Sequence, residues 1–173
     1  MNLILAIIIF TGLDLYFLKD SPDLLVRVVP EDQVEQLTLY YSFSGSDWDS
    51  MVIKKEGRFF DTGLVSPETL RVVGLYCIYD NGKVDDNDGA LYLYEVKKFP
   101  RMLMPFSIAD LEIMLKQARK KIVSGTHIDE AITLLDYIDE MLGVLPVIEN
   151  SPQETQRNIL QLEVNSLREQ IGR

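Results

Sequence analysis

Cysteine, histidine and tryptophan occur once each in the 173 residues, as Cys77, His127 and Trp48. A single cysteine excludes an internal disulfide and leaves the redox compartment open. One thiol and one imidazole cannot supply the clustered ligands of a structural zinc site. A Ser-His-acid triad would have to be drawn around His127 with an arbitrary serine, so catalysis of that kind is not expected. No glycine-rich phosphate loop follows a strand-like segment, and no spacing among the acids marks a catalytic pair. Positive charge is scarce too: 17 Lys and Arg stand against 27 Asp and Glu, a net charge of −10. Phosphate binding needs clustered bases, which argues against nucleic acid as a partner; docking on anionic lipid by charge is disfavoured for the same reason. The chain is expected not to be an enzyme.

Apolar residues make up 47% and charged residues 25% of the chain, values of a folded domain able to bury a full core. The longest apolar run is the start, MNLILAIIIFTGLDLYFLKD. Residues 3–13 are nearly unbroken; Asp14 interrupts, and residues 15–18 are apolar again. A spanning helix needs about 20 apolar residues. A secretory signal has a basic start and a small-residue cleavage site, and neither is present. Ile7, Ile8 and Ile9 favour strand. Residues 1–19 therefore read as an uncleaved signal or anchor, as a buried strand, or as a segment docked on a partner. The first is the expectation carried forward, with membrane contact through residues 3–18 and an extracytoplasmic or membrane-associated location; a cytoplasmic one stays open.

Residues 20–100 read as short strands between turns: LLVRVV, QLTLYYSFSG, MVIKKEGRFF, LRVVGLYCIY and ALYLYEVK. In the second, Leu37, Leu39, Tyr41 and Phe43 alternate with Thr38, Tyr40 and Ser42. MVIKKEGRFF reads as a hairpin about Glu56 and Gly57. Cys77 lies in an apolar strand and reads as a small core residue. This spacing of strands predicts an antiparallel, immunoglobulin-like β-sandwich.

Residues 101–173 change period. Ser107 with Asp110, Thr126 with Asp129 and Ser151 with Glu154 have the spacing of capping boxes. Pro152 follows Ser151 at a first helical position, and Gly125, Gly143 and Gly172 stand where helix ends are predicted. The helices are predicted at about 108–123, 127–142 and 152–171. The first two form a hairpin over SGTH; the basic Lys116, Arg119, Lys120 and Lys121 of one would meet Asp136, Asp139 and Glu140 of the other. In the third, Leu160, Val164, Leu167 and Ile171 recur at steps of four, three and four, a coiled-coil-like seam. It would pack on the chain's own hairpin or recruit a protein partner or a second copy. The fold class is thus α+β: an N-terminal sandwich, a helical hairpin and a third, coiled-coil-like helix.

The stretch YDNGKVDDNDGALY, residues 79–92, concentrates acids and amides. An EF-hand loop with Gly89 at its sixth position places Asp86 and Asp88 correctly, but Val84 falls at the first position and Glu95 lies in a strand-like run, so a regular EF-hand is excluded. Looser calcium binding by Asp80, Asp85, Asp86 and Asp88 remains beside the plainer reading, a solvated hairpin tip.

The order LTLYYSFSGSDWDSM, GRFFDTGLV, GLYCIYDNGKVDDNDGALY resembles the immunoglobulin-like starch-binding modules that accompany amylases. The resemblance covers about residues 24–97. Trp48 matches their turn tryptophan, and Asp85, Asp86, Asn87 and Tyr92 match their final loop; Val84 stands where that loop carries a tryptophan. The resemblance implies α-glucan binding, with Trp48 and Tyr40 or Tyr41 as a stacking platform and the loop polar groups bonding sugar hydroxyls. Two functions follow: an interaction or assembly protein with a sandwich body and a helical partner-binding region, or a glucan-binding module fused to helices.

Overall fold

The computed structural model describes residues 12–18, 21, 23–30, 33–98 and 101–172. Among the described residues nine strands come first: β1 (Gly12–Phe17), β2 (Leu24–Val29), β3 (Gln36–Phe43), β4 (Asp49–Lys54), β5 (Phe60–Leu64), β6 (Val72–Tyr79), β7 (Val84–Asp85), β8 (Tyr92–Lys97) and β9 (Met102–Phe106). Three helices follow: α1 (Ile108–Ser124), α2 (Ile128–Val144) and α3 (Pro152–Gln170). All strand pairs are antiparallel, in two sheets ordered β1-β2-β5 and β4-β3-β6-β8-β9, with β7 on the flank of β6. The fold is α+β, and the order of its first strands is the Greek key of an immunoglobulin-like sandwich.

Alternation along each strand builds the layers. Leu13 and Leu15 of β1, Leu24, Val26 and Val28 of β2, Leu37 and Leu39 of β3, and Val73, Leu75 and Cys77 of β6 are buried between the sheets. Asp14, Arg27 and Asp61 alternate with them on the far side of the small sheet, where the Arg27 guanidinium grips Asp61 with two bonds of 2.8 and 2.6 Å. On the large sheet the other face is apolar as well. Val72, Leu93, Tyr76 and Trp48 pack there with the inward stripes of all three helices, forming a second core. The molecule therefore has three layers: small sheet, large sheet, helices.

Several boundaries differ from those predicted. The segment 1–19 divides: Gly12–Phe17 is β1, paired along its length with β2, so the sandwich starts earlier than residue 20. The remainder of the expected anchor, residues 1–11, lies outside the described residues. The region 101–173 is not wholly helical, since Met102–Phe106 pairs with β8 as an edge strand. Pro105, which cannot donate to a ladder, sits on that edge, where a further strand would otherwise add. The turn at Glu56 and Phe59 forms, but β4 joins one sheet and β5 the other, so MVIKKEGRFF crosses between layers instead of making a hairpin. The Ser107 box holds: the Asp110 carboxylate accepts the Ser107 N–H at 2.6 Å and its hydroxyl at 2.9 Å. Ser151 accepts the Glu154 N–H at 3.2 Å, while Glu154 reaches back to the N–H of Asn150. Thr126 does not cap α2; the N-cap is His127, in a left-handed conformation at φ 55°. Gly125 (φ 65°) does end α1, but Gly143 lies inside α2, which runs on to Val144.

Candidate functional site

The stretch predicted as a loop closes one end of the sandwich. Asp85 lies opposite Cys77 in register, so its side chain takes the inner face of the large sheet. Its two oxygens accept the hydroxyls of Tyr92 at 2.7 Å and Tyr79 at 3.0 Å. Together with Gly12, Lys83 and Asp86 these residues line a polar hollow of about 160 Å³. Burial raises the proton affinity of both phenols, and for Tyr92 the bond to Asp85 adds to it. Burial, with a smaller contribution from the Asp85 charge, pushes the Cys77 thiol up to about 12. At neutral pH the three groups hold their protons, and the bonds of Asp85 to Tyr79 and Tyr92 fasten β7 and β8 to β6.

Of the four acids proposed for calcium, Asp85, Asp86 and Asp88 line this hollow, and Asp80 lies apart from it. Asp80 accepts the N–H groups of Glu35 and Gln36 at 3.0 and 3.1 Å, on the approach to β3. Asp85 serves the two tyrosines, and Asp86 accepts the Gly89 N–H at 2.9 Å within the turn. Among the described residues no three Asp, Glu, His or Cys side chains gather in a way that could hold a metal ion. Like charges in a short loop separate unless a cation draws them together, and each of these three has found a donor in the chain. Asn87, at φ 57°, donates to the Leu91 carbonyl at 3.0 Å and shapes the turn.

The residues carrying the sugar resemblance fall on opposite faces of the large sheet. Asp85 and Tyr92 take the inner face. Tyr40 takes the outer one, where its ring stacks on Tyr76 at 4.6 Å with 2° between the planes, and Trp48 meets Tyr76 edge-on at 5.2 Å. The Trp48 indole N–H donates to the Val147 carbonyl at 3.1 Å, in the link between α2 and α3. Its ring belongs to the core beneath the helices. The six residues thus form no single platform; Trp48, partly buried, lines an open pocket of about 350 Å³ together with Asp47 and the link between α2 and α3.

The seam of α3 also turns inward. Leu160, Val164 and Leu167 are buried against α1 and α2, and Ile171 packs beside them. Of the two readings of this seam, packing on the chain's own hairpin is the one seen for Leu160, Val164 and Leu167, while Ile171 stays partly exposed. Most of the opposite charges meet through α3, and one pair, Lys121 with Glu130, crosses the hairpin. Arg168 bonds Asp136 and Asp139, each at 2.9 Å, and Arg119 bonds Glu163 at 2.8 Å. Lys121 reaches Glu130 at 2.6 Å, and His127 bonds the same carboxylate at 2.9 Å; these two partners, Lys121 foremost, lower the proton affinity of Glu130.

The outer side of α3 carries a feature that the inner seam obscured. From Pro152 to Ser166 its exposed positions are Pro152, Thr155, Asn158, Ile159, Leu162, Asn165 and Ser166, none of them charged. On α1 the exposed positions include Asp110, Lys116, Arg119 and Lys120, and on α2 Asp129, Glu130, Asp136 and Glu140. Ile159 is 51% and Leu162 69% exposed. Beside them an open groove of about 440 Å³ runs between α1 and α3. The signal was legible in the sequence as steps of four, three and four through Thr155, Ile159, Leu162 and Ser166, the same spacing as the seam five residues further on.

Fold and surface together define a sandwich roofed by a three-helix layer, with an uncharged helix face turned to solvent. Comparison with family models, curated proteins and solved structures finds no match to this chain. Among the described residues no helix is long and apolar enough to cross a membrane.

Proposed function

We propose that the chain is a non-catalytic interaction or assembly protein, in which the sandwich is a rigid body and α3 presents the face that a protein partner covers. The observation that carries this reading is the uncharged outer face of α3, with Ile159 and Leu162 exposed in a chain of net charge −10. Isolated apolar residues on a surface are ordinary; two in adjacent turns of one helix face, bordered by the Arg119–Glu163 ion pair, match an apolar centre with a polar rim. The helix is held firmly enough to serve. Its inner seam is buried, Arg168 ties it to α2, and the Gln153 amide donates to the Gly89 carbonyl of the sandwich.

A photo-crosslinking side chain placed at Leu162 of the full chain, in the cells that make it, is expected to yield a discrete adduct. The same group at Val65, which is 78% exposed on the sandwich, serves as the control. Adducts no more abundant from position 162 than from position 65 would remove the reading.

A further inference from the structure

Resting on that reading, we infer that the occupant of the α3 face is the same face of a second copy of this chain, set antiparallel about a two-fold axis that passes midway between Ile159 and Leu162. The stripe Thr155, Ile159, Leu162, Ser166 runs small polar, large apolar, large apolar, small polar. That order reads alike in both directions, which is what an isologous contact requires. About the axis, Ile159 meets Leu162 of the second copy and Thr155 meets its Ser166. The two-fold sets like flank against like flank, so Asn158 lies toward Asn165 of the second copy and Gln156 toward its Glu163. No pair of like charges is brought together along α3, although each copy carries −10. Glu163 and Glu112 are already bonded within the chain, to Arg119 at 2.8 Å and to Gln156 at 2.5 Å, so the edge of the stripe presents no unpaired acid to its mate. The small hydroxyl residues at the ends let the two helices approach closely, and the large apolar pairs fill the centre.

The stripe spans about three turns, a contact of ~16 Å along the helix, and lies below the ~1,200 Å² of a stable interface. The pair is therefore weak and concentration-dependent. It also has an unusual salt response. An interface built on ion pairs loosens with salt, whereas here salt screens the repulsion of two acidic bodies and leaves an apolar contact intact, so association strengthens toward ~0.15 M ionic strength.

Sedimentation equilibrium of the purified full chain from ~10 µM to ~1 mM is expected to show a monomer–dimer equilibrium, weakened at least ~tenfold by Leu162→Glu and unchanged by Val65→Glu. Both positions are exposed, so both variants fold; Thr155→Leu with Ser166→Leu, which extends the apolar seam, is expected to tighten the dimer. Register is read separately by mixing Thr155→Cys chains with Ser166→Cys chains under mild oxidation. The mixed disulfide should form ahead of either symmetric one, and buried Cys77 stays silent. A monomer throughout, or symmetric disulfides in preference to the mixed one, overturns the pairing. The crosslink at Leu162 tells the two ideas apart: an adduct of twice the chain mass supports both, an adduct of another mass overturns self-pairing and keeps the interaction reading, and no adduct overturns both.

Discussion

A methyl group added to Gly74 would stand 2.8 Å from Cβ and 3.0 Å from Cγ of Pro146, and 3.4 Å from the Trp48 ring. Gly74 faces outward from β6, so this is the spot where the link between α2 and α3 lies directly on the sheet. Pro146 is held in a stiff ring and the adjacent Val147 carbonyl is engaged by Trp48, so neither yields readily. Overpacking of this kind costs ~1–3 kcal/mol. Gly74→Ala is therefore expected to lower the melting temperature by several degrees, at ~2–4 °C per kcal/mol for a chain of this size. Gly63 of β5 supplies the contrast, because nothing lies within 4 Å of its missing Cβ. Gly63→Ala should be neutral or slightly stabilising, since alanine restricts the unfolded chain. Equal melting temperatures for the two variants would show that the helical layer does not rest on the sheet at Gly74. The glycine was visible in the sequence but its purpose was not, because Pro146 lies 72 positions away and no local pattern ties the two together.

At the scale of elements, β1 depends on a bond that crosses the sandwich. The Tyr94 hydroxyl, on β8, donates to the Leu13 carbonyl at 2.8 Å in a buried setting. Among the described strands β1 lies at the edge of its sheet, so half its backbone groups face away from β2. Tyr94→Phe leaves that carbonyl without its donor, at a cost of ~1–3 kcal/mol. The loss should appear locally as faster amide exchange in β1, with the helices unaffected; uniform acceleration across the chain would show that β1 does not open as a unit. The same strand shows what the sequence could and could not deliver. Its residues close an apolar run, and composition does not separate a buried strand from an anchor; only pairing with Leu24–Val29 does. The helices were legible because Ser107, Ser151 and Gly125 act through bonds to residues three or four away. Thr126 failed as a cap because His127 takes the left-handed turn itself, and Gly143 failed as a stop because Leu145 and Pro146 end the helix instead. Met102–Phe106 carries no alternation, being an edge with Met102 and Met104 exposed. At the candidate sites, knowing that Tyr40 and Tyr92 lie on opposite faces required the register of β3, β6 and β8, which a single sequence does not contain.

Across the whole molecule, four tyrosines fasten different parts together, and their ionisation sets the alkaline limit of the fold. Tyr79 and Tyr92 hold Asp85 at the rim, Tyr94 joins the two sheets, and Tyr137 of α2 bonds Glu95 of β8 and so joins helices to sandwich. In all four, burial is the leading cause that lifts the phenol above its ordinary value of 10.0, with nearby charges such as Asp85, Asp14 and Glu95 reinforcing it. The sign follows from proton binding. Above pH ~10 the unfolded chain releases these protons while the folded one retains them, so rising pH favours unfolding. Their full contribution is present below the ordinary tyrosine range and is lost as pH climbs toward the raised values. Each such group steepens the decline by up to ~1.4 kcal/mol per pH unit, and four acting together make the transition abrupt. Phenolate absorbance and far-UV circular dichroism, followed together from pH 9 upward, should therefore show part of the eight tyrosines titrating early, with the remainder appearing only as the secondary structure collapses. A smooth titration of every tyrosine near pH 10 with the circular dichroism intact would mean that these phenols do not fasten the layers. Tyr137→Phe offers a finer separation: it removes the helix-to-sheet tie alone, so the first loss on raising the pH should shift away from the helical layer toward the rim, where Tyr79 and Tyr92 still face the Asp85 charge.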